Sequence, residues 1–402
     1  MLPFDLFEYQ SRLTKTKKRM EEKGIDVLLV TDPANMNYLT GYDAWSFYVH
    51  QMLAVIIDEP QPLWIGRYQD AKGARTKTWL HEENVYAYPD YYVHSAIHHP
   101  MDYIGQKLVD LGHGKKTIGV EMDNYYFSAK AFIQLQNNLP NARFIDADLL
   151  VNYVRLIKSE QEINYMKRAA MIAEHAMYKG TESIRAGMRE CDIAAQIYYY
   201  MLSGTEEYGG DYPAIVPLLP TGENTAIPHL TWTERSFQEG DAVIVELAGC
   251  YKRYHVPLAR TVSIGNPSED LQRVTPIVVE GLEEVLDAVK PGMTCGEVEE
   301  VWRKSLKKHG IEKEARLGYS VGLNYPPDWG EHTASIRARD TTVLQPNMTF
   351  HLIPGLWFDK YGIEISESFR VTEDGCETFT NYPRDLMIKD PFIINPHGGK
   401  IS

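Results

Sequence analysis

Two residues in one stretch of the chain have side chains that could move protons and hold charge in a pocket. His229 follows a turn in DYPAIVPLLPTGENTAIPHLTW, and Glu246 ends the apolar run of EGDAVIVELAG. An imidazole both accepts and returns a proton near neutral pH, as general acid–base chemistry demands. Glu246 follows Val-Ile-Val in what reads as a buried strand, where an unpaired carboxylate is expensive, so a partner for it is expected. A solvated carboxylate at a strand end is the alternative. Alternation along the strand pair puts His255 and Pro257 on the Glu246 side, although the intervening CYKRY turn leaves the phase open. His255 is therefore a further binding candidate.

The elements that must position these residues fall into two domains. From Phe7 to Lys23 the spacing predicts an amphipathic helix with Leu13 and Met20 inward. IDVLLV and MLAVIID read as strands, with Trp64–Ile65 in a third, and DPANMNYLTGY reads as a turn-rich connection. Strand and helix signals alternate through YIGQKLVDLG, KTIGVEM and AKAFIQLQNNL, which predicts a small α/β domain around a central sheet. The pattern changes near VNYVRLIKSEQEI. Ser159 and Glu162 form a capping box there, ahead of Ile163, Met166, Ala170 and Ala173 at helical spacing. A boundary just before that helix gives domains 1–155 and 156–402.

The second domain repeats itself weakly. IRAGMRECDIAAQIYYYM and VKPGMTCGEVEEVWRKSL each place a Gly-Met turn ahead of an amphipathic helix. Each is preceded by another helix (Glu160–Ile184 and Leu271–Val289) and followed by strand-like sequence. A duplicated helix–helix–strand unit with a pocket between its halves is one reading; two helices with similar caps is the other.

Composition narrows the functional classes. The 402 residues suffice for two domains with cores of their own. A net charge of −14 argues against nucleic-acid binding, which needs basic patches. The four cysteines (Cys191, Cys250, Cys295, Cys376) form no CxxC pair and no zinc-like spacing, as in a reduced protein with free thiols. MLPFDLFEYQSRL does not read as a signal peptide, and no run has the roughly 18 apolar residues of a membrane span. The expectation is a cytoplasmic protein with no membrane partner.

With these residues in view, the chain resembles the creatinase, prolidase and methionine aminopeptidase ("pita-bread") family over nearly its whole length. The resemblance rests on DPANMNYLTGY, RLIKSEQEINYMKRAA, TGENTAIPHLTW, EGDAVIVELAG, ARTVSIG, KPGMTCGEV, LQPNMTF and VTEDGCE, in that order. It implies an α/β (α+β) fold: a small creatinase-like N-terminal domain followed by a pseudo-twofold pita-bread catalytic domain, usually in a homodimer. The metallopeptidase members bind two metal ions through Asp, Asp, His, Glu and Glu. Carried over, those positions hold Glu246, Pro257, Tyr319, Ile353 and Ser366. One potential ligand of five remains, too few anionic oxygens for two dications, so neither a metal nor another cofactor is expected. A register slip would bring His351, Glu364 or Glu367 into play instead.

His229 matches the histidine that these peptidases use near the metal and that creatinase, a metal-free relative, uses as its acid and base. Other creatinase positions differ. Ala259 and Ile353 replace glutamates, Val49 and Gly330 replace arginines that grip a carboxylate, and Glu246 replaces an asparagine. GYDAWSFYVHQ, EYGGDYPAIVPLLPTGENTAIPHLTWT and LNYPPDWGEHTASIR are similar to a branch of the family that opens a cyclic amidinium ring bearing a carboxylate. That resemblance implies that Glu246 pairs with the amidinium N–H groups while His229 handles the protons. Attack by a carboxylate through a covalent intermediate stays open.

The same resemblance suggests further contacts to substrate. Tyr319 would enter the cavity left by the lost histidine. Glu331 and His332 lie in WGEH, and Glu367 adjoins the last lost ligand; each could equally be an exposed or locally ion-paired residue. Trp45 and Phe47 lie in the loop that in creatinase reaches the neighbouring subunit's site, where aromatic rings could cover a flat cation; a core strand is the alternative. Arg260 reads as structural, and Arg337 and Arg339 are the nearest candidates for a carboxylate clamp. A metal-dependent Xaa-Pro dipeptidase and a catalytically silent binding protein are the competing classes.

Overall fold

The computed structural model describes residues 2–391. The chain forms two compact units, Met1–Arg155 and Leu156–Ser402.

The first unit runs α1 (Leu6–Lys23), β1 (Val27–Val30), α2 (Pro33–Thr40), β2 (Met52–Ile56), β3 (Leu63–Arg67), α3 (Ala71–Lys77), β4 (Val85–Tyr88), α4 (Pro100–Asp110), β5 (Thr117–Val120), α5 (Ala129–Asn138), β6 (Arg143–Asp146) and α6 (Leu150–Val154). Its six-stranded sheet has the order β4-β3-β2-β1-β5-β6. Alternate residues of the central strands feed two cores. Leu28, Val30, Leu53 and Val55 meet Leu13 and Met20 of α1 on one face. Val27, Leu29, Met52 and Ala54 meet Met101 and Ile104 of α4 on the other, so helices cover both faces.

DPANMNYLTGY is a helix rather than a turn. Asp32 caps α2 by accepting from Ala34 N, and Pro33 occupies the first helical turn, where a missing N–H is harmless. Turn-type residues here mark the two ends of a short helix. Trp45 and Phe47 lie in the loop between α2 and β2, not in a strand.

The second unit begins with α7 (Glu160–Glu182) and α8 (Glu190–Ser203), followed by β7 (Ala242–Tyr251) and β8 (Tyr254–Ile264). It repeats the pattern with α9 (Glu269–Ala288) and α10 (Cys295–Lys308) ahead of β9 (Gly318–Val321), β10 (Gly330–Ile336) and β11 (Thr349–Leu352). The remaining strands are β12 (Gly355–Trp357), β13 (Gly362–Glu364), β14 (Glu367–Val371), β15 (Cys376–Thr378) and β16 (Met387–Lys389). The capping box read at Ser159 and Glu162 starts α7.

β7 and β8 form a hairpin paired from Ala242↔Ser263 to Tyr251↔Tyr254. Its two-residue turn, Lys252–Arg253, has positive φ at both positions (51° and 67°), the twist that suits a tight hairpin. Because the turn adds no bulge, the side-chain phase continues across it. Glu246, Ala248, Pro257 and Ala259 therefore share one face with His255, while Val245, Leu247, Leu258 and Arg260 share the other.

The second face packs on α7 and α8 through Val243, Val245, Leu247, Leu258 and Val262. The helix comes so close that a Cβ on Gly249 would lie 1.9 Å from the Ala169 carbonyl oxygen. The outer edge of β8 meets the five-stranded sheet β10-β9-β11-β14-β15. There Ala259 N donates to Ser366 Oγ (2.7 Å) and Ser368 Oγ donates to the Pro257 carbonyl (2.8 Å). That sheet is covered from outside by α9 and α10, whose Val278, Leu282 and Trp302 share a core with Ile336, Phe350 and Phe369. Each helix pair thus backs one sheet, and Glu246 lies on the hairpin face turned away from α7 and α8.

Candidate active site

Glu246 sits in mid-hairpin and is 7% exposed. Its backbone is pinned from the free edge of β7 by Leu218, which bonds it in both directions (2.9 and 3.1 Å). The carboxyl group has no hydrogen-bond donor among the described residues, contrary to the expectation that a buried carboxylate has a partner. What lies nearby is a second acid. Glu364 ends β13, held by Thr261 of β8, whose hydroxyl donates to Glu364 O while Glu364 N donates back (both 2.9 Å). Glu364 is buried, and its Oε1 has no hydrogen-bond partner among the described residues.

Burial first, and then the Glu364 charge, hold the Glu246 carboxyl well above the ordinary carboxylate range. Burial pushes Glu364 up to about 7, against the pull of Lys313. Protonation replaces the missing partner, and the pair prefers to carry less than its two formal charges. A cation entering between them would restore both.

A neutral relay borders these acids. Trp329 Nε1 donates to Tyr319 Oη (2.7 Å), and Tyr319 Oη lies 3.3 Å from His351 Nδ1. The far nitrogen of His351 is 2.9 Å from Ser366 Oγ. β9 and β11 place these side chains together through the pairing His351↔Tyr319. Burial, then the Arg316 charge, pushes His351 down to about 3, so its ring stays neutral. Burial, with the Glu246 charge second, holds the Tyr319 phenol protonated. The Arg316 guanidinium lies over the Tyr319 ring, 4.3 Å from its centre.

Of the residues read from sequence, the fold brings Glu246 and Tyr319 together. His229 is exposed, in a turn at φ 68°. Its neighbour Leu230 accepts from Leu219 N (3.1 Å), next to the Leu218 that pairs with Glu246, so the turn is anchored at the edge beside Glu246. His255 lies on the Glu246 face but four register positions away, or roughly 13 Å along the strand. Its Nε2 accepts from Ala214 N (2.9 Å), and burial pushes it down to about 4.

Two acids are already balanced. Glu331 is paired with Lys158 at 2.7 Å, both nearly inaccessible. Glu367 is bound by Arg260 (2.5 Å), Arg384 (3.2 Å) and Thr380 Oγ1 (2.6 Å). These contacts give Glu331 and Glu367 structural work. Arg260 is fully buried and also donates to the carbonyls of Pro383, Ser366 and Tyr382. His332 Nε2 lies 2.7 Å from Asp328 Oδ2 at the site's margin.

Trp45 and Phe47 belong to the first unit, with ring centres 4.8 Å apart. Phe47 lines a cleft of about 370 Å³ there, with His50, Tyr88, Tyr92, Tyr125 and Tyr126.

Arg316 was not among the sequence-derived site residues, and Glu364 and His351 entered only as ligands under a register slip. The signal for these two was faint: Glu364 stands two residues before Ser366, and His351 two before Ile353, so alternation puts each on the side of a mapped position.

The comparisons with known proteins agree with this architecture. The Creatinase/Prolidase N-terminal domain matches residues 12–157, and metallopeptidase family M24 matches residues 164–373. The chain belongs to the M24 family. It is 46% identical to "Ectoine hydrolase" of Halomonas elongata, over 96% of this chain and 99% of that one. It is 49% identical to "Uncharacterized hydrolase/peptidase y4tM" of Sinorhizobium fredii, over 97% and 100%. Among solved structures, X-Pro aminopeptidase from Thermotoga maritima superimposes with a TM-score of 0.78 at 26% identity, covering 94% and 99%. A creatinase-like domain followed by a pita-bread domain is therefore the fold.

M24 members are commonly metal enzymes, so the donor set matters. Pro257 and Ala248 face each other where a second carboxylate would stand, and Ser366 is bonded to Ala259 N and His351. No three of His, Cys, Asp or Glu gather into a metal-binding group among the described residues. These side chains do not fit a dinuclear centre.

Proposed function

We propose that the protein hydrolyses ectoine, opening its cyclic amidine ring to N-acetyl-2,4-diaminobutyrate, with the Nα isomer released, and that it does so without a metal. The buried carboxyl pair Glu246 and Glu364 carries this reading. It is short of positive charge, and an amidinium supplies a flat, delocalised cation with N–H donors. The homologue named "Ectoine hydrolase" supplies the substrate.

Glu246, as the carboxylate, pairs with the amidinium N–H groups and fixes the ring. Water adds to the amidine carbon while His229 accepts one of its protons. His229 returns that proton to the ring nitrogen as the carbon–nitrogen bond breaks, and the hydroxyl proton released as the amide carbonyl forms passes to the freed amine. The amidinium's positive charge ends on the ammonium of the product, so no external electrophile is required. The covalent alternative, with Glu246 attacking the amidine carbon first, uses the same atoms in a different order.

The reading extends to hydroxyectoine as a second substrate and to a deacetylase acting on the product. It also extends to a cytoplasmic homodimer in which the Trp45–Phe47 loop of one copy covers the site of the other. No helix among the described residues is long and apolar enough to cross a membrane.

The test is to incubate chelator-treated protein with ectoine, creatine and a Xaa-Pro dipeptide and to follow products by NMR. Turnover of ectoine alone supports the proposal. Metal-dependent cleavage of the dipeptide replaces it with a dipeptidase, and ectoine binding without turnover replaces it with a binding protein.

A further inference from the structure

Resting on the ectoine reading, we propose that Arg316 is the specificity residue that holds the substrate's carboxylate. The acids Glu246 and Glu364 account for the cationic end of a zwitterion, and a complementary cation is needed for the other end. Most arginines and lysines near the site are already committed. Lys158 is paired with Glu331, and Arg260 and Arg384 with Glu367. Arg253 lies over the Tyr212 ring at 3.6 Å, towards the hairpin turn. Arg337 donates to Ser335 Oγ (3.0 Å) on an exposed stretch after β10.

Arg316 is different. No hydrogen bond or ion pair holds its guanidinium among the described residues, and the residue is exposed. Its guanidinium carbon is nonetheless placed over the Tyr319 ring, 4.3 Å from the ring centre. That ring belongs to the relay bordering the two acids. Three groups there register the Arg316 charge: Tyr319, His351 and Asp328. Asp328 does not neutralise it, being occupied by His332 (2.7 Å) and Gly330 N (3.0 Å).

A guanidinium stacked on a ring keeps its N–H fork free in the ring plane, and that fork matches a carboxylate bidentately. The position is also separate from those of the two arginines that creatinase uses, which are Val49 and Gly330 here. Lys313, on the same loop, is a rival. Its ammonium lies 4.8 Å from the centre of the Trp357 ring and is felt by Glu364, placing it at the cationic end.

The test compares Arg316→Met and Arg316→Lys with the unaltered protein on two compounds. One is ectoine; the other is the same cyclic amidine lacking the carboxylate. Arg316→Met should raise KM for ectoine by about 10- to 100-fold, the usual worth of a charged hydrogen bond, with kcat little changed. It should leave KM for the decarboxylated compound within twofold, and Arg316→Lys should recover part of the ectoine loss. An unchanged KM for ectoine in Arg316→Met overturns the assignment alone, as does an equal rise for both compounds, which marks a merely structural role. If the unaltered protein turns over neither compound, the ectoine reading fails and the assignment with it.

Discussion

The two faces of the β7–β8 hairpin treat buried charge in opposite ways. On the face towards α7 and α8, Arg260 is buried against Glu367, and both are saturated with hydrogen bonds. On the other face, Glu246 and Glu364 are buried with no side-chain cation hydrogen-bonded to either among the described residues, and protonation relieves them instead. The strands, the depth and the residue types are similar; the difference is whether the fold supplies the counter-charge. A buried pair completed by the protein holds the structure together. One left incomplete is poised to take its counter-charge from a ligand.

The comparison can be broken most strongly at Glu246. Glu246→Gln keeps the shape and removes the charge, and should lower ectoine turnover by about 10³-fold or more while the fold is retained, as read by NMR and by thermal melting. Near-normal turnover would remove the carboxylate from the chemistry. Glu367→Ala should do the converse. It strands Arg260 as an uncompensated buried charge and should destabilise the protein by about 3–5 kcal/mol in denaturant titration. A loss below about 1 kcal/mol would show that the saturated face is not structural.

His229→Ala tests whether the exposed histidine at the edge of β7 serves the incomplete face. Turnover should fall by about 10²-fold with an unchanged melting temperature. A normal rate would leave proton transfer to some other group.

The smallest effect concerns Glu364 and carries a definite sign. Its carboxyl is raised to about 7 in the folded protein, above its unfolded value, so the folded state keeps a proton that the unfolded state releases. Below about pH 4 both states are protonated and the penalty vanishes. It grows as pH rises through the interval and is complete above about pH 7. Glu364→Gln should therefore match the parent in stability at pH 4 and exceed it by about 3 kcal/mol at pH 8. Because the Glu364 charge helps to raise Glu246, the acid limb of kcat/KM in this variant should also move to lower pH, by roughly half a unit or more. A limb that moves upward would contradict the coupling.

Much of this could be read from residues alone. Hydrophobic period and capping signals placed α1, α7 and the central strands, because those features are local. They misjudged DPANMNYLTGY, where Asp32 and Pro33 start a helix and Gly41 ends it, since the same residues also make turns. His229 and Glu246 stood out because an acid in an apolar strand and a histidine after a turn are conspicuous in one dimension.

What only tertiary structure decided is who meets whom. Glu246 and Glu364 lie far apart in the chain and become neighbours because β13 is bonded to β8 through Thr261. The same assembly assigns Glu331 to Lys158 and Glu367 to Arg260. Sequence fixes which groups are ionisable. Burial and long-range pairing decide which of them are neutralised, and so which remain to bind a charged ligand.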